Sequence, residues 1–279
     1  MEQIEQLNGL QDDEFLLNGL PYCKNCNTAR FYQSPDKLFL VRCICKCQAE
    51  KVKEEEEKNK LVEKQYEFFK RQQSSLLGKR YLNISFEKSI KTKNISEAYN
   101  KLLAYSINSK EMFANNIGLY LYGAPSSGKT HLSACLCNEL VNQGYYCLYT
   151  NLSTILNEIS ATFNNSNNTS DILKKIASFS FVFIDDVGKE FLGREFNASS
   201  AKWAEKTLFE ILNTRYNAQL PTIFTSNFSL KELSTKLNLD DAIVDRINEM
   251  ATRLIKIDGD DFRELARENK SELAKNLGV

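Results

Sequence analysis

The sequence predicts an α/β fold, a central parallel sheet flanked by helices, with a small cysteine-bearing unit in front of it. Three observations carry that prediction. From Lys79 onward, apolar strand-like runs alternate with helical stretches, the pattern of parallel strands joined by right-handed crossovers. One such run leads into Gly123-Ala124-Pro125-Ser126-Ser127-Gly128-Lys129-Thr130, a glycine-framed turn that opens a helix and cradles phosphate. Cys23, Cys26, Cys43, Cys45 and Cys47 crowd one short segment, which needs a staple because it is too small to fold on a hydrophobic core alone.

The 279 residues allow one or two domains. A hydrophobic content of 42% with 26% charged residues describes a globular chain. Thirty-six basic and 36 acidic residues cancel, so no global field draws the chain onto nucleic acid, and any contact with DNA must come from a local patch. No run of 18 apolar residues occurs and the N-terminus is acidic and polar, so neither a transmembrane helix nor a secretory signal is expected. Eight cysteines without an export signal read as reduced thiols or metal ligands, which places the chain in the cytoplasm.

Residues 1–20 carry Ile4, Leu7 and Leu10 at helical spacing and are expected to form a short helix. Cys23-Lys24-Asn25-Cys26 then has the knuckle spacing that aims two thiolates at one cation. Strand-like runs at Arg30-Phe31-Tyr32 and at residues 38–42 predict a hairpin that returns the second cysteine group beside the first. Four sulfurs around a tetrahedral Zn²⁺ is the expected product. Alternation along a strand points Cys43 and Cys45 the same way. That pair is the favoured complement to Cys23 and Cys26, with Cys47 as the alternate. Residues 48–75, rich in interleaved Glu and Lys, predict a solvated helix with a thin stripe of Leu61, Val62, Phe68 and Phe69. The expected division is a zinc-binding domain at 1–50, a charged helical linker at 51–78, and an ATPase domain at 79–279.

In that last part, residues 96–113 predict a helix ahead of the phosphate loop. Gly123 and Gly128 let successive N–H groups converge, the helix starting at Lys129 adds its positive end, Lys129 reaches the outer phosphates, and Thr130 ligates Mg²⁺. His131 follows in the first turn, where a supporting role beside the nucleotide fits better than catalysis. Cys135, Cys137 and Cys147 read as core residues. A helix over 151–163, a polar loop over 164–169, a short helix over 172–177 and a buried strand over 179–184 come next. That strand ends in Asp185-Asp186: Asp185 is placed to hold Mg²⁺ opposite Thr130, and Asp186 to orient or deprotonate the attacking water. A helix over 198–217 precedes a buried strand ending in Asn227, whose amide could reach the γ-phosphate or the water from the other side.

Taken together, the phosphate loop through His131-Leu132, Phe183-Ile184-Asp185-Asp186-Val187-Gly188, Thr225-Ser226-Asn227 and Val244-Asp245-Arg246-Ile247 resemble the AAA+ replicative helicase loaders of the DnaC/DnaI type, and the IstB-like transposition helpers in the same places. The cysteines are similar, more loosely, to those of DnaI-like and phage-encoded loaders. The resemblance covers roughly residues 79–267. It implies ATP with Mg²⁺ as cofactor, Asp185 and Asp186 as Walker B, Asn227 as sensor 1, Arg246 as an arginine finger supplied to a neighbouring copy, and Arg263 as sensor 2. It implies three partners: the replicative hexameric DNA helicase, single-stranded DNA, and further copies of the ATPase domain. It also implies no full helical lid. Asp186 departs from the more usual Glu by one methylene. Taken alone, Arg246 among Asp240, Asp241 and Asp245 reads equally well as a surface ion pair, and Arg215 is a second, weaker finger. Lys174, Lys175 and Phe163 are weak candidates for a DNA contact. Two other readings stand beside the loader: a nucleotide-switched adaptor with little hydrolysis, and a transposition helper, against which the cysteine-bearing front end speaks. A small-molecule kinase would leave Asn227 and Arg246 without work.

Overall fold

The computed structural model describes residues 10–35, 40–89, 92–161, 167–191, 198–259 and 267. The chain divides into two compact units, residues 1–67 and residues 68–279.

In the first unit β1 (Glu14–Leu17) and β2 (Leu20–Cys23) pair antiparallel. The helix expected through residue 20 is therefore not what the described part forms. Asn18 and Gly19, both at positive φ (52° and 78°), make the two-residue Asn-Gly turn whose twist suits a hairpin, and that local signal overrides the helical spacing upstream. The second predicted hairpin is present as β3 (Phe31–Gln33) against β4 (Leu40–Arg42). The charged stretch forms one long helix, α1 (Lys46–Ser74), with no buried residue, as a solvated helix should be. Val52, Leu61, Val62, Tyr66 and Phe69 stand exposed along it.

In the second unit, α2 (Ser96–Ile107) and α3 (Ser109–Ala114) divide the single helix expected over 96–113. The break is Asn108, whose side-chain amide and backbone N–H both return to the Ala104 carbonyl, a local bond that competes with helix continuation. The sheet follows: β5 (Leu119–Tyr122), β6 (Cys147–Asn151), β7 (Phe181–Asp185), β8 (Thr222–Ser226) and β9 (Arg253–Lys256), in spatial order β6-β7-β8-β5-β9. Every pairing is parallel. The crossovers carry α4 (Lys129–Asn142), α5 (Leu152–Ser160), α6 (Asn167–Ser178), α7 (Ala198–Asn217), α8 (Leu230–Leu237) and α9 (Asp241–Met250). Helix α6 starts earlier than the expected 172–177 and takes in part of the polar stretch, and α5 stops at Ser160.

Alternation along the strands builds a core on each face. Leu119, Leu121, Phe181, Phe183 and Ile223 pack with Leu102, Leu132, Leu136 and Leu140 of α2 and α4 on one side. Tyr120, Val182, Ile184 and Phe224 pack with Leu156, Leu208, Leu233 and Ile247 of α5, α7, α8 and α9 on the other. Cys135, Cys137 and Cys147 are fully buried in the first core, where small apolar residues were expected. No helix among the described residues is long and apolar enough to cross a membrane.

Candidate nucleotide site and thiolate cluster

The carboxyl edge of the sheet gathers the predicted hydrolytic residues. β5 delivers the chain to Gly123, where a side chain is excluded twice over: φ is +152°, and an added Cβ would lie 2.1 Å from the Ile257 carbonyl oxygen. Ser126 (φ 65°) and Gly128 (φ 96°) complete the reversal, and α4 begins at Lys129. The first N–H groups of that helix have no intrahelical partner and face the loop. Lys129 is 5% exposed, with its ammonium on the carbonyls of Gly123 (2.9 Å) and Ala124 (2.7 Å). The cation is thus stationed in the mouth of the loop.

Thr130 Oγ1 donates to both Asp185 carboxylate oxygens at 3.2 Å, so the hydroxyl and carboxylate expected to share Mg²⁺ face each other. Burial pushes the Asp185 carboxyl upward, with hydrogen bonds from Thr225 and Thr130 acting against it; a divalent cation would relieve a charge that is costly to bury. Asp186 turns out of the strand at φ 57°. Its carboxylate lies 3.9 Å from Lys189 Nζ, and its N–H donates to Thr225 Oγ1 at 2.9 Å.

The residue that sequence reasoning passed over is Thr225. Its hydroxyl also donates to Asp185, and its carbonyl accepts from Val187 N–H at 2.8 Å. Ser226 Oγ closes the same seam on the Val187 carbonyl at 2.6 Å. A hydroxyl residue near the end of an otherwise apolar, central strand was the available signal. Because β8 lies between β7 and β5, Asn227 emerges between the acidic pair and the phosphate loop; the loop is itself joined to β8 by Gly123 N–H on the Ser226 carbonyl, 3.3 Å.

Other predicted residues go elsewhere. His131 Nε2 bonds Ser89 Oγ at 2.9 Å, and burial, helped by Arg80, lowers its pKa; it pins the segment ahead of the loop. Arg246 lies 3.8 Å over the Tyr216 ring and pairs with Glu249 at 2.7 Å. Arg215 cannot serve as a second finger. It is fully buried, with its guanidinium on the carbonyls of Ile176, Phe179, Ser180 and Pro221. Its place beside Asn217 at the end of α7 gives it the carbonyl ends around β7 and β8 as acceptors. Lys174 pairs with Asp171 at 3.8 Å. Arg263 and Phe163 lie outside the described residues.

In the first unit the sulfurs of Cys23, Cys26, Cys45 and Cys47 all lie within 4.8 Å of one another, with Cys45–Cys47 at 3.3 Å and Cys23–Cys47 at 3.6 Å. Zn–S bonds of about 2.3 Å put tetrahedral sulfurs roughly 3.8 Å apart, so the cluster fits zinc. The favoured Cys43 is not among them, and its Sγ points to the Ala29 carbonyl at 3.8 Å. Strand alternation misplaced it because β4 ends at Arg42 and α1 begins at Lys46. Cys45 and Cys47 therefore flank the helix start, where one turn converges both side chains. Thr28 bonds Cys26 and holds that thiol down, to about 5, while Cys45 and Cys26 crowd Cys47 and push it up to about 12. Several thiolates so close together call for a cation.

A family model for IstB-like ATP binding protein matches residues 66–271. The chain is 28% identical over 139 residues to the replicative helicase loader DnaC of Escherichia coli K12, which covers 49% of this chain and 53% of that protein; it thus spans about half the length of that relative. A crystal structure of the DnaC helicase loader superposes with a TM-score of 0.52 at 23% identity, over 64% of this chain and 99% of that one. A replication initiator DnaA bound to AMPPCP and single-stranded DNA does so with a TM-score of 0.53 at 21% identity, over 66% and 52%. These likenesses give the second unit the fold of those proteins, a five-stranded parallel sheet flanked by helices. With a matched model that spans most of its length and the phosphate loop, acidic pair and Asn227 at one sheet edge, the chain belongs to the family of IstB-like ATP-binding proteins.

Proposed function

We propose that this chain is an ATP-dependent loader of the replicative hexameric DNA helicase, acting in the cytoplasm to deliver that helicase onto single-stranded DNA. The observation that carries the reading is the meeting of Thr130 with Asp185, with Asp186 and Asn227 at the same sheet edge. ATP would lie on the loop from Gly123 to Thr130, with Lys129 exchanging its two carbonyls for the outer phosphates. Mg²⁺ would be held by Thr130 and Asp185, Asp186 would orient the attacking water, and Asn227 would bond the water or γ-phosphate. Arg246 completes a neighbouring copy's site by neutralising charge on the transferring phosphoryl group, an effect worth on the order of 10³-fold in related NTPases. Arg263 is assigned to the chain's own nucleotide. Zn²⁺ on Cys23, Cys26, Cys45 and Cys47 supplies the folding energy of the N-terminal unit. The functional division is a zinc-binding domain at 1–50, a helical linker at 51–78 and the ATPase domain at 79–279. Similarity to proteins named as helicase loaders supports the cargo, and the DnaA neighbour, solved with single-stranded DNA, supports the track.

Two measurements test this reading. Lys129→Ala should abolish nucleotide binding in calorimetry. Arg246→Ala should bind nucleotide yet turn over slowly, and mixing it with Asp186→Ala should restore part of the activity through mixed interfaces; no recovery sinks the shared site. A second reading, a nucleotide-switched adaptor with little hydrolysis, is favoured by one observation, the Lys189 ammonium beside the Asp186 carboxylate. Tight ATP binding with negligible turnover in the assembled helicase complex would select it. The thiolate-bearing unit weighs against a transposition helper.

A further inference from the structure

Two hydroxyls lie buried together where α4 packs on the sheet. Ser133 is fully buried, and Tyr149, 8% exposed, belongs to the core of Leu132, Leu136 and Phe183. Alanine and phenylalanine would fill the same space without taking polar atoms out of water, which is costly unless those atoms are bonded. Here they are bonded, and their partner lies in the first turn of α4. Ser133 Oγ donates to the Thr130 carbonyl at 3.1 Å, which leaves it to accept from the Tyr149 hydroxyl at 2.7 Å. The Tyr149 oxygen also lies 3.5 Å from that same carbonyl.

The ring of Tyr149 reaches the other side of the site. Register pairs Tyr149 with Phe183 and Asn151 with Asp185 across β6 and β7, and the Tyr149 and Phe183 rings stack with centroids 5.5 Å apart and planes 18° from parallel. Alternation puts Phe183 and Asp185 on one face of β7, the face that packs on α4. Tyr149 thus spans from the Thr130 backbone to the strand that presents Asp185, whose carboxylate accepts from Thr130 Oγ1 at 3.2 Å. An aromatic side chain has only two rotatable bonds, so one held at both ends fixes a separation. The hydrolytic roles assigned above leave this hydroxyl unused.

We propose that Tyr149 is a positioning residue for the Mg²⁺ site: through Ser133 it holds the Thr130 backbone at the distance from β7 at which Thr130 and Asp185 share one cation. The proposal rests on the Mg²⁺–nucleotide reading above. The test titrates the full chain with the ATP analogue AMPPCP in a calorimeter, once in excess Mg²⁺ and once in EDTA. The ratio of the two affinities is the gain that Mg²⁺ confers. Tyr149→Phe should lower that gain by on the order of 10-fold, as loss of a group that orients a metal ligand does elsewhere, and leave the affinity in EDTA unchanged. Ser133→Ala should lower it less, because the Tyr149 hydroxyl keeps its approach to the Thr130 carbonyl. The double variant should lose no more than Tyr149→Phe alone, since both act through one carbonyl. Alanine favours the helix, so Ser133→Ala decides the matter should Tyr149→Phe fail to fold. A wild-type gain in the variants overturns the proposal. So does an affinity that falls equally with and without Mg²⁺, which would make the pair a prop for the shape of the loop only. A wild-type chain that binds no AMPPCP, or binds it no better with Mg²⁺, overturns the nucleotide reading itself and is distinct from both.

Discussion

Replacing Thr225 by valine removes one hydroxyl and little volume, and the hydroxyl joins the two acidic residues of the site. Thr225 Oγ1 donates to the Asp185 carboxylate and accepts from Asp186 N–H at 2.9 Å. Loss of a hydrogen bond to a charged group costs about 1.5–3 kcal/mol, and a buried N–H left without a partner about 1–3 kcal/mol. Asp185 and Asp186 are both partly accessible at this edge, so water offsets some of the loss and a net destabilisation of about 2–4 kcal/mol is expected. Burial already raises the Asp185 carboxyl and Thr225 opposes it, so the variant should also bind Mg²⁺–nucleotide more weakly, by on the order of 10-fold if Thr225 acts as ligand-orienting groups do elsewhere. Urea unfolding of the apo chain and calorimetric titration with and without Mg²⁺ measure the two effects. Thr225→Ser keeps the hydroxyl and should recover most of both. The reasoning is refuted if Thr225→Val unfolds at the wild-type midpoint and binds with wild-type affinity, or if serine and valine are equally damaging, which would assign the effect to the methyl group.

Three further outcomes are expected. Cys43→Ser should retain one zinc per chain by metal analysis whereas Cys47→Ser should lose it, since only Cys47 belongs to the four-sulfur cluster. Glu190, 7% exposed and accepting from Ser153 N–H and Oγ at 3.1 and 3.0 Å, is raised above 4.5 by burial. A raised carboxyl contributes stability that is full below its unfolded pKa and is lost as pH rises through the folded one. Glu190→Gln should therefore gain on the wild type in urea midpoint between pH 4.5 and neutrality, and a constant difference would count against it. Arg215→Met should destabilise by leaving buried carbonyls unbonded, at about 1–3 kcal/mol for each one that water does not reach, read as a lowered unfolding midpoint, while wild-type stability would refute the capping role.

Where local chemistry decides the structure, the sequence was a sufficient guide. The phosphate loop, the acidic strand end, β8 and the bounds of α7 follow from periodicity and glycine spacing, because burial on both faces of a parallel sheet leaves such segments few alternatives. The errors fall where a short-range bond or a change of element intervenes. Asn108 divides a helix whose apolar periodicity continues through it. Asn18-Gly19 makes a hairpin next to a stretch with helical spacing. Cys43 loses to Cys47 because β4 ends before the cysteines do, and strand geometry does not extend into a helix start. The arginines are the least legible. Arg215 and Arg246 carry the same charge, yet one is sealed among carbonyls and the other stacks at the surface edge of α9. Nothing in local spacing distinguishes them, since burial at those positions is set by how α7 meets β7 and β8.

Asp186 brings the two levels together. By resemblance, the missing methylene relative to glutamate reads as a weakness in the hydrolytic residue. The backbone gives it another cause. At φ 57° the position is left-handed, a region that Asp and Asn enter far more readily than longer side chains because a short polar group can bond locally. The turn exists because Thr225 takes the Asp186 N–H while its own carbonyl takes the Val187 N–H, bending the chain out of β7 one residue after Asp185. A shorter acid is thus the residue this turn admits, and its reach is set by a backbone swung outward rather than by side-chain length. The pair at the strand end works as a unit: Asp185 remains in the sheet facing Thr130, and Asp186 leaves it with its carboxylate beside Lys189.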